Sequence, residues 1–208
     1  MNCALCGSET VEFSVTEKRV YYQCTHCDGI GMDPSYFLSN IDEKNRYDTH
    51  NNDVTDIGYQ NFVSPIVNSI IEEYKKEHKG LDFGSGSGPV ITSMLRNIGY
   101  NITTYDPFFD PNTKALDQTY DYIACCEVME HFYNPNQEFK LLHSLLQEKG
   151  SLYCKTYLYN ESIDFNSWWY KNDPTHVFFY TQKTLNWIKT NYQFNDLSVS
   201  DKLICFKK

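Results

Sequence analysis

Apolar positions recur along this chain in two alternating rhythms, one with helical spacing and one as short continuous runs, and their order predicts a layered α/β protein. Ile66, Val67, Ile70, Ile71 and Tyr74 share one face of a helix opened by Ser64 and Pro65 and closed at Lys79 and Gly80. Leu81 to Phe83 then reads as a buried strand. A second helix starts at Pro89, carries Val90, Ile91, Met94, Leu95 and Ile98 on one side, and ends at Gly99 before a strand over Asn101 to Tyr105. Residues 107–120 leave room only for a very short third strand near Lys114, Ala115 and Leu116. A fourth apolar run follows Asp121, and Asn134 with Pro135 opens a helix bearing Phe139, Leu142, Leu145 and Leu146, stopped at Lys149 and Gly150. Ser151 to Tyr159 returns as a strand. Thr181 caps a last helix with Leu185, Trp187 and Ile188, and residues 194–199 and 202–206 form a closing antiparallel pair.

The bend between the first of these strands and its helix, Leu81 to Gly88 (LDFGSGSG), carries the most chemistry. Its glycines are spaced Gly-x-Gly-x-Gly, whereas a dinucleotide fingerprint needs Gly-x-Gly-x-x-Gly and a P-loop ends in Gly-Lys-Ser/Thr. A plain flexible loop could share this composition. Set between a strand and a helix, the bend is expected to bring bare backbone N–H groups against a ligand that lacks a pyrophosphate. Asp106, at the end of the next strand, offers an acceptor pair for both hydroxyls of a ribose, so a nucleoside-containing ligand is expected.

Four blocks in this order resemble the class I S-adenosylmethionine (SAM)-dependent methyltransferases: Leu81 to Gly88, Tyr105 to Phe109 (YDPFF), Asp121 to Phe132 (DYIACCEVMEHF) and Trp169 to Tyr180 (WYKNDPTHVFFY). The last, with its Asp-Pro-Thr-His-Val core, is similar to a narrower bacterial subgroup. The resemblance covers roughly residues 40 to 208. It implies a doubly wound, mostly parallel, Rossmann-like sheet of seven strands with an antiparallel C-terminal strand. It also implies that Gly84, Ser85, Gly86 and Gly88 border SAM, that Asp106 takes the ribose hydroxyls, that Cys126 and Glu127 lie beside the cofactor, and that Asp82 acts through the methionyl ammonium or a water.

Cysteines add a second feature. Cys3-x-x-Cys6 and Cys24-x-x-Cys27 have the spacing of a zinc ribbon, in which two knuckles give four thiolates to one tetrahedral ion. Two disulfides or a redox pair compete with this reading; an intracellular setting disfavours the first and the paired knuckles the second. A complete thiolate shell leaves no open position for water, so the ion is expected to hold structure or a recognition surface. Residues 1–32 are thus expected to form a zinc ribbon, 33–60 a polar linker or lid, and 61–208 the methyltransferase domain, with the ribbon able to loosen separately. His26 is expected to be exposed, or to lie outside the thiolate shell. Cys125, Cys126, Cys154 and Cys205 read as core thiols.

Composition and charge narrow the partners. Apolar residues at 41% and charged residues at 22% fit a single globular core with a small appendage. A net charge of −9, from 18 basic and 27 acidic residues, disfavours nucleic acid as substrate. No basic-then-apolar leader and no run of 18 apolar residues is present, so no membrane partner and a cytoplasmic location are expected. The expected acceptor is a small molecule, methylated on oxygen or nitrogen, with a possible protein contact through the ribbon.

Methyl transfer needs alignment of nucleophile, methyl and sulfur and, for some acceptors, removal of a proton. His176, flanked by Trp168, Trp169, Tyr170, Phe178, Phe179 and Tyr180, is the first candidate base. His50 and His131 follow it, while His78 and His143 read as ordinary helix positions. Two readings of His176 stand: a base in an aromatic-walled pocket, or a core histidine bonded to a carbonyl. Two other functions also stand: a SAM-binding zinc-ribbon adaptor without catalysis, and a nicotinamide-dependent oxidoreductase, which the glycine spacing disfavours.

Overall fold

The computed structural model describes residues 1–49, 53–200 and 203–208. Among them the central sheet has six strands in the order β5-β4-β6-β7-β10-β9. Four are parallel: β4 (Lys79–Phe83), β5 (Asn101–Tyr105), β6 (Tyr120–Cys126) and β7 (Leu146–Lys155). The last two, β9 (Asp196–Val199) and β10 (Ile204–Lys207), are antiparallel, with β10 on β7 and β9 at the edge. Alternation along the central strands explains why both faces are covered. Tyr122 and Ala124 of β6 and Tyr153 of β7 pack with Ile66, Ile70, Val90 and Leu95, whereas Ile123, Cys125, Leu152 and Cys154 pack with Phe139, Leu142, Leu185 and Ile188. The first face is covered by α2 (Ile57–Glu73) and α3 (Val90–Asn97), the second by α4 (Pro135–Leu145) and α5 (Gln182–Asn191).

Three elements differ from the sequence expectation. Among the described residues the central sheet has no seventh strand, and residues 113–117 form a 3-10 helix. After Asp106 the chain doubles back through an Asp106–Asp110 bridge, and the fourteen residues before Asp121 also have to reach β6 on the far side of β4. A parallel crossover consumes a dozen or more residues by itself. The helix expected from Ser64 instead begins at Ile57, capped by the Asp56 carboxylate on the Tyr59 amide, and runs through Pro65. Proline at that position cannot donate to the Asn61 carbonyl, and the Ser64 hydroxyl donates to it instead at 2.8 Å. Finally, β7 starts at Leu146 directly after α4, and Lys149 and Gly150 form an irregularity within the strand.

A second sheet, order β1-β2-β3-β8, joins β1 (Thr10–Val15), β2 (Val20–Cys24) and β3 (Ile30–Met32) to β8 (Phe178–Phe179). Three strands come from the cysteine-bearing segment and the fourth from the block that contains His176. The two parts also share core: Cys3, Leu5, Cys24 and Cys27 pack in one cluster with Phe178, Tyr180 and Leu185. The Thr184 hydroxyl donates to the Cys27 carbonyl and Lys183 pairs with Asp28 at 2.9 Å. A short helix, α1 (Asn40–Tyr47), capped by Ser39, lies within the segment expected to be linker.

Candidate active site

The glycine bend and the ends of β4, β5 and β6 open onto a cleft of about 1160 Å³. That is room for a nucleoside-sized cofactor and a small second molecule. Gly84 and Gly86 have φ of +75° and +66°, and a Cβ on Gly84 would lie 2.4 Å from Val128 Cγ2, so only glycine fits there. The expected bare N–H groups are not bare. Gly84 N and Ser85 N donate to the Tyr105 carbonyl at 2.8 and 3.1 Å, and Gly86 N donates to Asp106 Oδ2 at 2.9 Å. Asp106 Oδ1 accepts from Phe108 N and Phe109 N. Of the bend's amides, Gly86 N joins those of Phe108 and Phe109 in fixing Asp106, which presents a locked carboxylate at the cleft wall.

Gly84, Ser85, Gly86, Asp106, Cys126, Glu127 and His176 all line the cleft; Asp82 and Gly88 do not. Asp82 is 4% exposed, behind the bend, and accepts from the Thr92 hydroxyl at 2.7 Å. Burial pushes its carboxyl up to about 6. His50 falls outside the described residues.

Opposite Asp106, the third and fourth blocks meet. Glu127 has φ of +53°, a strained conformation that projects it from the end of β6. Its Oε1 is buried without a partner, and its Oε2 lies 3.4 Å from the Tyr170 hydroxyl. The same hydroxyl donates to Glu130 Oε1 and contacts Thr156 Oγ1 at 3.0 Å. Glu130 is wholly buried, and its Oε2 also lacks a partner. Burial, with Glu130 beside it, pushes Glu127 up to about 9; burial likewise raises Glu130 and lowers His131. The rings of His131 and His176 stand edge to face at 4.8 Å. Nδ1 of His131 lies 2.9 Å from the Thr175 carbonyl and Nδ1 of His176 lies 2.7 Å from the Tyr170 carbonyl. A carbonyl only accepts, so each neutral ring carries its proton on Nδ1 and keeps Nε2 as the basic nitrogen. His176 is carbonyl-bonded, as the core reading expects, and at 8% exposed it also lines the cleft.

Sequence reasoning expected a linker or lid over residues 33–60 but named none of the side chains through which it reaches the cleft. From α1, Arg46 pairs with Asp173 at 2.6 Å, Glu43 accepts from Tyr47 and Tyr133, and the Tyr47 ring stands 5.4 Å from His131. Eight residues without apolar periodicity gave no signal of this. The cysteine sheet braces the same wall: Met32 N donates to the Val177 carbonyl and Arg19 to the Lys171 carbonyl, while Val177 N donates to the Glu130 carbonyl.

The four sulfurs of Cys3, Cys6, Cys24 and Cys27 lie within 4.8 Å of one another, with Cys3 to Cys27 at 3.6 Å and Cys6 to Cys24 at 3.3 Å. A disulfide needs about 2.05 Å, and a tetrahedral zinc with bonds of about 2.3 Å sets its sulfurs about 3.8 Å apart. The amides of His26 and Cys27 point at Cys24 Sγ, as they would toward a thiolate. The donor set fits a tetrahedral metal and no disulfide forms.

A doubly wound sheet with a glycine bend and an acidic residue at successive strand ends defines an open α/β protein with its cleft at the carboxyl ends of the strands. Likeness to known proteins takes this further. A family model described as "Methyltransferase domain" matches residues 57–199, most of the chain, and the chain belongs to that family. No curated protein matches it significantly. Among solved structures, the Burkholderia thailandensis 1,6-didemethyltoxoflavin-N1-methyltransferase, with bound 1,6-didemethyltoxoflavin and S-adenosylhomocysteine, aligns over 95% of this chain and 98% of its own (TM-score 0.54, 13% identity). A SAM-dependent methyltransferase from Archaeoglobus fulgidus aligns over 72% and 94% (TM-score 0.51, 18% identity). Against three longer proteins the chain spans 56% to 58% of the relative's length; one is an O-methyltransferase family protein from Burkholderia thailandensis (TM-score 0.51, 9% identity, 71% of this chain). These likenesses establish the fold. Among the described residues no helix is long and apolar enough to cross a membrane.

Proposed function

We propose that this protein transfers the methyl group of SAM to a small-molecule acceptor bound between the glycine bend and the His131–His176 wall. When bound, SAM supplies an electrophilic methyl on a sulfonium. The observation that carries the reading is the Asp106 carboxylate, held rigid by three backbone amides at the mouth of the cleft, where it can accept the ribose hydroxyls. The cleft suits a cation, since Glu43, Asp106, Glu138 and Asp173 line it against a single arginine, Arg46, which is already paired with Asp173. The Gly-x-Gly-x-Gly spacing of the bend is not that of a dinucleotide fingerprint, which argues against a nicotinamide cofactor. Cys126, Gly84 to Gly86 and Glu127 flank the cofactor in this reading, and Asp82 acts behind the bend.

The acceptor occupies the far end, beside Glu127, Tyr170, His131 and His176, with the exposed Trp169 ring at the rim. His176 Nε2 is placed to take a proton from an oxygen or nitrogen nucleophile. Residues 1–32 form a zinc ribbon through Cys3, Cys6, Cys24 and Cys27, whose sheet holds the His176 segment in place. Within the lid-like segment, α1 closes over the cleft through Glu43, Arg46 and Tyr47. Incubation with SAM labelled on its methyl group and a fractionated extract tests the proposal: label should move into a low-molecular-weight fraction. Transfer only into protein or nucleic acid, or none at all, would contradict it.

A further inference from the structure

The wall that closes the acceptor end of the cleft carries two imidazoles, and they are not equivalent. His176 is nearly buried, with Nδ1 tied to the Tyr170 carbonyl. His131 is half-buried and lines the cleft from the short 3-10 helix Met129–His131 that follows β6. Its Nδ1 lies 2.9 Å from the Thr175 carbonyl, which places the proton of the neutral ring on that nitrogen. Nε2 is then a bare lone pair, and among the described residues it has no hydrogen-bond partner. The ring cannot swing away. Tyr47 of α1 stands edge to face with it at 5.4 Å, His176 does so at 4.8 Å, and a carboxylate oxygen of Glu130 lies within 4.8 Å of a ring nitrogen. Burial has the largest effect on its titration and lowers it, Glu130 pulls it up, and His176 and Asp173 act in opposite directions with less force. Tyr47, itself raised by burial, stays neutral beside it. His131 is therefore uncharged at neutral pH, as a proton acceptor has to be.

We infer that His131 is the general base of this cleft, its Nε2 taking the proton of the acceptor's nucleophile as the methyl group is transferred. The inference rests on the methyltransferase reading and narrows its acceptor to a compound that reacts through a hydroxyl or a ring N–H. Such a group is a weak nucleophile until its proton leaves, whereas a neutral aliphatic amine attacks through a lone pair that is already free. The rings of Tyr47 and Phe108, 5.6 Å apart, line the cleft beside His131 and favour a flat acceptor. The acceptor O–H or N–H bond breaks and its proton passes to His131 Nε2. The freed electron pair forms the bond to the methyl carbon, and the S–CH3 bond breaks with its pair left on sulfur, giving S-adenosylhomocysteine. Glu130, which favours the charged ring, stabilises the imidazolium until it returns the proton to water. His176 then acts as a positioning residue that backs the His131 ring rather than as the base.

Heteronuclear NMR of the histidine side chains, with S-adenosylhomocysteine bound, reads the state of the base in the wild-type protein. His131, assigned by the signals that His131→Gln loses, should be neutral at neutral pH with its proton on Nδ1 and Nε2 bare. A charged ring at that pH, or a proton on Nε2, would overturn the assignment. Methyl transfer is followed with SAM labelled on its methyl group and the low-molecular-weight fraction of a cell extract. His131→Ala should lower the initial rate by about a hundredfold or more, with affinity for S-adenosylhomocysteine unchanged. Added imidazole should restore part of that rate, which a purely structural role of His131 would not allow. A rate close to wild type in both His131→Ala and His131→Gln, or a loss that imidazole leaves untouched, would overturn the inference. The two claims separate in the same assay: no label transferred by the wild type removes the methyltransferase reading, and label transferred as fast by the variants removes only the base.

Discussion

Asp82 supplies the most quantitative prediction, because it is a buried carboxyl whose protonation differs between the folded and unfolded chain. Burial pushes it from 3.8 to about 6, outweighing the Thr92 hydrogen bond that favours the ionised form. Raising a carboxyl that far costs the ionised form about 3 kcal/mol. Between pH 4 and 6 the folded state holds a proton that the unfolded state has released. Stability from this group is therefore full below about pH 4 and is lost as pH rises through 6, above which the fold carries a buried charge. Asparagine keeps the acceptor for Thr92 and removes the charge, at a cost of about 1 kcal/mol for an amide donor without a partner. Asp82→Asn should thus stabilise the protein at pH 7.5 by about 2 kcal/mol, or about 4–8 °C in a chain of this size. Thermal melts of both proteins from pH 4 to 8 give the comparison: the variant starts slightly less stable near pH 4, gains on wild type between pH 4 and 6, and keeps a constant advantage above about pH 6. A difference independent of pH, or an asparagine variant that grows less stable relative to wild type as pH rises, would refute the reasoning.

Other predictions follow from the site and from the sheet that braces it. His176→Ala should lower turnover by at least tenfold while changing SAM affinity less than twofold, as separate kinetic and calorimetric measurements would read; equal losses in both would return His176 to a purely structural role. With zinc at the four cysteines as proposed, chelation should lower the melting temperature of the whole chain and turnover together, because β3 pairs with β8 and the cysteines share a core cluster with α5. Calorimetry showing an early, separate transition with the main one unmoved would contradict this coupling. Gly84→Ala forces both a positive φ and an overlap with Val128, so a loss of about 2–3 kcal/mol is expected by chemical denaturation; a variant as stable as wild type would show that the bend relaxes freely.

Much of the fold was readable because each element carries its own punctuation. Gly99 after an apolar stripe, Asn134-Pro135 at a helix start and Thr181 as a cap are local signals, and the helices beginning at 135 and 182 start where those residues place them. Errors arose where tertiary contacts override such signals. Pro65 reads as a helix start, but the Ser64 hydroxyl compensates for the missing amide and the helix continues upstream. The β3–β8 pairing joins residues 30–31 to 178–179, a register that no local pattern announces. At the site, the glycine bend, Asp106 and Glu127 were legible from their places at strand ends. That the Gly86 amide points back at Asp106, and that two histidines 45 positions apart meet at 4.8 Å, required the folded chain. Glu130 was invisible as a site residue because one glutamate beside a histidine has many ordinary uses.

The claim on which the rest depends is that the glycine bend and Asp106 hold an adenosyl group. Calorimetric titration with S-adenosylhomocysteine, run on the wild type and on Asp106→Asn, addresses it most directly. Saturable binding of one molecule per chain, weakened at least tenfold in the variant as a ribose hydroxyl loses its acceptor, is the expected result. No heat with the wild type, or equal affinity in the variant, would contradict the account.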